Sequence, residues 1–243
     1  MNSPLPILQV DAGELPKSVM VVGDPARASA AAGSLDEPRQ IGSSREYLTF
    51  VGTRSGVPVG VVSHGVGAAG AALCFEDLIA GGVTTIIRAG TAGSLQPDVS
   101  DGDLVVATAA VRDEGLSVRV VPESYPAVAH ADLTTRLVAE GGKRKQTVRQ
   151  GIVLTSDLFK GREVLGSNLS LWQSAGVMAV EMEISALFVL ASLSNIRAGA
   201  IVAIDGNPLA REVADVAYDP NRSIVTESVE VMIDVALTVL AAS

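Results

Sequence analysis

The sequence predicts a single α/β domain over residues 1–243, a three-layer αβα sandwich around a central mixed β-sheet. Three observations carry this. Apolar residues make up 48% of the chain but aromatics only 3%, so the core must be built from Val, Ile, Leu and Ala. That suits buried strands covered by Ala-rich helices. Short β-branched runs alternate with helical stretches along the chain, and Gly, Asp and Pro turns separate them. No internal repeat, low-complexity tract or linker interrupts the alternation.

Taken in order, Ser18–Val22 is a strand that ends at Gly23-Asp24-Pro25. Asp24 is placed to cap a helix and Pro25 suits its first turn. Tyr47–Val51 and Val57–Ser63, joined through Thr53-Arg54-Ser55-Gly56, form a β-hairpin. Gly65–Gly70 opens a helix through Leu73, Phe75, Leu78 and Ile79, stopped by Gly81-Gly82. Thr84–Ala89 and Leu104–Val111 are buried strands. A helix from about Asp132 to Gly141 and a strand at Thr147–Leu154 follow the loop through Pro122–Pro126. Another helix falls between Arg162 and Ala175, then a strand at Val177–Val180, a helix at Ile184–Ser194 and a strand at Arg197–Ile204. A polar loop, Leu209–Asn221, leads to an amphipathic helix from about Ser223 to Ala241.

Bulk chemistry narrows the function. A net charge of −9 speaks against nucleic-acid binding, which wants a basic face. It does not speak against phosphate, because a few converging arginines set the local field. With Cys74 the sole cysteine and His64 and His130 the only histidines, no internal disulfide and no Cys- or His-built metal site is expected. Met1–Leu15 lacks a basic segment followed by an apolar run, so no signal peptide is expected. The most apolar stretch, Ile184–Ile204, is broken by Asn195 and Arg197 and is no membrane span. A soluble cytoplasmic protein is the expectation.

In α/β sheets ligands bind beyond the carboxyl ends of strands, and four polar places stand there. Gly23-Asp24-Pro25-Ala26-Arg27 offers a helix N-terminus and a guanidinium to an anion, though such turns are common. Arg88, read as the end of an apolar strand and followed by Gly90-Thr91-Ala92-Gly93, must pair with an anion or with an acid. Glu181-Met182-Glu183, set between apolar segments, can accept hydrogen bonds from a vicinal diol or pair with an arginine. Asp205 closes the run Ala198–Ile204 and is either a proton donor or a turn former before Gly206-Asn207-Pro208.

Read together, VVGDPARA, SSREYLTF, VVSHGVGAAGAALCFEDL, IIRAGTAGSLQPD, GDLVVATAAVRDEG, VLTSDLF, AVEMEISALF and IVAIDGNP resemble the hexameric-type purine nucleoside phosphorylase and uridine phosphorylase family. They run from about residue 19 to 208, and the wording is most like the apicomplexan-type purine nucleoside phosphorylases. The resemblance implies the nucleoside phosphorylase fold and a glycosyltransferase of purine salvage. That enzyme would split purine (deoxy)ribonucleosides into free base and (deoxy)ribose 1-phosphate. It implies phosphate held by Gly23, Arg27, Arg88 and Thr91, with Arg45 reaching the phosphate of a neighbouring subunit. Glu183 would bind the ribose hydroxyls, with Met182 beneath the sugar and Glu181 nearby. Val66, Phe159 and Val180 would line the base, and Asp205 would hydrogen-bond or protonate purine N7. The implied assembly is a homohexamer, a trimer of dimers, with inorganic phosphate as co-substrate and no metal or other cofactor.

Two departures bear on the substrate. Family members carry an N-terminal histidine at the ribose 5′-OH, where this chain has Ile7, so a 5′-methylthio-nucleoside is an alternative substrate. Arg211 stands where the parasite relatives have an aromatic. A uridine phosphorylase is the main rival. Phe159-Lys160-Gly161-Arg162-Glu163 lacks the Gln–x–Arg pair with which those enzymes read uracil, and Asp205 favours a base with an N7. A hydrolytic nucleosidase would not need the three arginines, and a non-catalytic nucleoside-binding protein is the reading outside enzymes.

Overall fold

The computed structural model describes residues 4–161, 164–210 and 218–242. Strand β1 (Ser18–Val22) feeds helix α1 (Pro25–Ala32), where Asp24 accepts a hydrogen bond from the Ala26 amide at 2.8 Å and Pro25 opens the first turn. Strands β2 (Asp36–Ser44), β3 (Tyr47–Arg54) and β4 (Val57–Ser63) form an antiparallel meander. The β3–β4 hairpin is longer than expected. Arg54 pairs with Val57, so the turn is only Ser55-Gly56, both at positive φ, as the right-handed strand twist demands of a two-residue loop. Strand β2 was not foreseen. It is an exposed edge strand carrying Pro38 and two register shifts against β3, features that hide an edge strand from a period-two reading.

Helix α2 (Ala68–Ala80) follows, then β5 (Thr85–Ser94), β6 (Leu104–Asp113), a short α3 (Ser117–Val120), β7 (Ala127–Val128), α4 (Ala131–Gly141) and β8 (Val148–Ser156). The helix expected between Arg162 and Ala175 is confined to α5 (Leu169–Ser174), and Arg162 and Glu163 lie outside the described residues. Strand β9 (Ala179–Glu181), α6 (Ile184–Leu193), β10 (Arg197–Gly206) and α7 (Ser223–Ala241) complete the order. None of the helices among the described residues is long and apolar enough to cross a membrane.

The sheet is mixed, with helices on both faces. Strand β1 shows why: Val19 and Val21 pack into the core under α2 and α6, while Met20 and Val22 pack into the one under α1, α4 and α7. Strand β10 divides the same way, Val202 and Ile204 to one side and Ile201 and Ala203 to the other. The layering has a refinement. Strand β5 pairs with β1, β10 and β9, and β10, β6, β8 and β9 pair on in turn, so five strands close into a ring. This curl brings the end of β9 beside β5 and the end of β10. The N-terminal segment is tied down on α2, where the buried carboxylate of Asp77 accepts from the Ile7 and Leu8 amides at 2.8 Å each.

Candidate active site

The cavity, about 290 Å³, opens where β1, β4 and β10 end, with β5 running along its floor. Gly23, Arg27, Val66, Arg88, Thr91 and Phe159 line it, as do Val180, Glu181, Met182, Glu183 and Asp205. Of the residues expected at a site, only Arg45 is elsewhere. It sits exposed at the tip of the β2–β3 hairpin, with its backbone in the left-handed region at φ 52°. Ile7 packs against its own chain's core instead of the cavity, and Arg211 lies outside the described residues.

Arg88 is the centre of the polar floor, and its position corrects the expectation that it ends a strand. Strand β5 runs on to Ser94, so Arg88 lies mid-strand and almost wholly buried. Its guanidinium folds back over Gly90: a Cβ there would lie 2.8 Å from Nη2 and 3.0 Å from Cζ. A side chain at position 90 would therefore displace the guanidinium from this place. From this position Arg88 donates through Nε to Glu181 at 3.1 Å, through Nη2 to Glu183, and through Nη1 to His64 Nε2 at 2.8 Å. The two readings left open for Arg88 and the acidic pair therefore meet in one cluster. We expect Gly90→Ala to push the guanidinium off these partners and lower kcat/KM by about 10²-fold, the cost of misplacing a catalytic group by an ångström. Unchanged kinetics would show that the side chain can relocate freely.

The two glutamates differ in kind. Glu181 accepts from Thr155 Oγ1 at 2.6 Å and from the amides of Glu183 and Ile184 at 2.8 and 2.9 Å, besides Arg88. It caps the start of α6 and anchors Arg88, and its oxygens are taken up by the protein. Glu183 has fewer bonds: Oε1 accepts from the Gly67 amide at 2.6 Å and Oε2 from Arg88. That leaves lone pairs on both oxygens for hydroxyl donors. Burial raises the Glu183 carboxyl above its ordinary range, with Arg88 pulling the other way.

Arg27 is the cavity's other cation, and among the described residues its side chain makes no hydrogen bond or ion pair. Burial, and after it the Arg88 charge, weaken its hold on its proton, a pull that Asp24 and Asp205 oppose without cancelling. A guanidinium so placed suits a bound anion. Opposite it, the buried Asp205 accepts from the Tyr218 hydroxyl at 2.5 Å, and Arg222 donates to the Asp205 carbonyl at 3.0 Å. The Tyr218 ring stands edge-on to Phe159, centroids 5.4 Å apart. Pro208 closes against Gly93, where a Cβ would meet it at 2.8 Å. Sequence reading missed His64 and Tyr218. His64 lies within one of the quoted motifs but was given no role, and Tyr218 lies in the polar loop after Asp205, where the aromatic of the parasite relatives was sought at Arg211 instead.

Two arginines, a glutamate with unused lone pairs and a buried aspartate thus share one cavity. The family model described as "Phosphorylase superfamily" matches residues 17–241, and this chain belongs to that family. Purine nucleoside phosphorylase of Plasmodium vivax is 37% identical over 224 residues, covering 92% of this chain and 90% of the relative. Uridine phosphorylase of Haemophilus influenzae is 34% identical over 231 residues, covering 90% and 89%. Purine nucleoside phosphorylase of Toxoplasma gondii, solved with immucillin-H, superposes with a TM-score of 0.94 at 30% identity, covering 100% of this chain and 97% of that one.

Proposed function

We propose that the protein is a nucleoside phosphorylase acting on purine (deoxy)ribonucleosides, releasing the base and forming (deoxy)ribose 1-phosphate. The observation that carries this is the convergence of Arg27, Arg88, Glu183 and Asp205 on one cavity. Phosphate is the co-substrate, held by Arg27 and Arg88 with the Thr91 hydroxyl and the Gly23 turn. Glu183 takes the ribose hydroxyls and Met182 packs beneath the sugar. Val66, Phe159 and Val180 line the base. Breaking the glycosidic bond builds positive charge on the sugar and negative charge on the base. Phosphate oriented beneath the sugar answers the first as nucleophile and as anion. Asp205, hydrogen-bonding or protonating N7, answers the second.

Arg45 completes the phosphate site of a second copy in this reading, within a trimer of dimers. Its left-handed backbone costs a non-glycine residue on the order of 1 kcal/mol, at a tip where Asn or Gly would be cheaper, and its side chain reaches outward. The second reading is a uridine phosphorylase, favoured by the Haemophilus relative. Asp205 at the base end supports purine instead, because pyrimidines have no N7.

Incubating the protein with inosine, adenosine, guanosine, 5′-methylthioinosine or uridine, with and without phosphate, tests these readings together. Base release from the purine nucleosides only when phosphate is present is expected. Release that ignores phosphate would replace the phosphorylase by a hydrolase, and a marked preference for uridine would install the second reading.

A further inference from the structure

His64 is wholly buried just after β4, and the proposed chemistry leaves it without a task. Its Nε2 lies 2.8 Å from Arg88 Nη1. A guanidinium has no lone pair to offer, so Nε2 must be the acceptor and the ring proton must sit on Nδ1. That Nδ1 is buried and lacks a partner in full hydrogen-bond geometry, with the backbone of Gly65 and of His64 itself the groups that favour its proton. The imidazole stands edge-on to the Phe75 ring, centroids 5.4 Å apart. Nε2 is the ring nitrogen with a close side-chain partner, and that partner is Arg88. The Gly23 turn lies directly above: a Cβ on Gly23 would be 3.8 Å from His64 Cε1. His64 thus sits between two parts of the proposed phosphate cradle.

We propose that His64 is a positioning residue for Arg88, its Nε2 lone pair holding the guanidinium flat over Gly90 so that the remaining N–H groups face phosphate. This rests on the phosphorylase reading. Without that acceptor, Nε and Nη2 still tie Arg88 to Glu181 and Glu183. The guanidinium then stays folded in place but can rotate about those anchors. Burial most of all disfavours protonation of the imidazole, and the facing charges of Arg88 and Arg27 act the same way, outweighing the backbone of Gly65 and His64, which favours it. His64 therefore remains neutral through the working range of the enzyme, a fixed acceptor and not a switch.

Two measurements test this. In protein labelled with ¹⁵N-histidine, the exposed His130 is assigned through His130→Gln, leaving one buried imidazole. Its ¹⁵N shifts should report the Nδ1–H form, unchanged from pH 8 to pH 5.5, and Arg88→Met should alter them. An Nε2–H form, or titration in the ordinary histidine range, overturns the proposal. In kinetics, His64→Leu removes the acceptor and His64→Gln retains one. We expect His64→Leu to raise the phosphate KM by about tenfold, the loss of one charge-assisted hydrogen bond, while the nucleoside KM changes by less than about threefold. His64→Gln should recover most of the loss at comparable Tm. Equal behaviour of the two variants, or equal changes in both KM values, overturns the positioning role. Should His64→Leu not fold, the Gln variant and the NMR measurement decide. Base release from the wild type without phosphate fails the parent reading and with it the link to phosphate, while the ¹⁵N shifts still decide the Arg88 contact.

Discussion

Arg88→Met is expected to abolish most of the activity and to destabilise the protein at the same time. The substitution preserves length and apolar packing but removes the cation to which Glu181 and Glu183 are both bound. Removing one partner of a buried ion pair costs about 3–5 kcal/mol, because the remaining charge keeps its desolvation penalty. Here two carboxylates are stranded together. Activity should fall by about 10²–10³-fold, the usual loss when a buried donor to transition-state charge is deleted.

The stability deficit should also depend on pH, in a calculable direction. Burial already raises the Glu183 carboxyl above its ordinary value, and Arg88 is the strongest influence restraining it. A carboxyl whose folded pKa exceeds its unfolded pKa binds its proton more tightly in the folded state. Stability therefore falls as pH rises from the unfolded value, about 4.3, through the folded one. Deleting Arg88 raises the folded value further and widens that window. Urea unfolding should show the largest deficit near neutral pH and a smaller one towards pH 5. A deficit that grew on acidification would mean that the acids are not the source of the instability.

Asp205→Asn is expected to lower kcat/KM for inosine by about 10²–10⁴-fold, the usual worth of general acid catalysis. Asn retains an oxygen to accept from the Tyr218 hydroxyl, so that contact is kept. The decisive comparison uses 7-methylguanosine, whose imidazole ring is already cationic and whose departure needs no proton at N7. On that substrate the variant should lose less than about tenfold. Equal losses on both nucleosides would assign Asp205 to shaping the cavity and not to the leaving base.

Much of this was legible in the chain itself. Asp24-Pro25 marked the start of α1, and the apolar run at Ser18–Val22 gave β1 to the residue. These features depend on neighbours a few positions apart, which is the range over which caps, turns and strand periodicity act. Strand β2 escaped because an edge strand exposed on both sides carries little hydrophobic pattern. The acids and arginines were also visible as candidates, since polar side chains inside apolar runs need a reason to be there.

What the sequence could not decide is which of those polar groups meet. It left Arg88 with a choice between an anion and an acid, and the fold gives it Glu181 at the end of β9, Glu183 just before α6 and His64 just after β4. Those partners lie far from it in sequence, and only the closure of β5, β10, β6, β8 and β9 into a ring brings β9 and its acids against β5. Tertiary structure likewise separates Glu181, spent on capping α6, from Glu183, which keeps lone pairs for a ligand. The residue types and the αβ order follow from local chemistry along the chain. The division of labour among charged groups follows from burial and strand pairing, which are long-range properties of the fold.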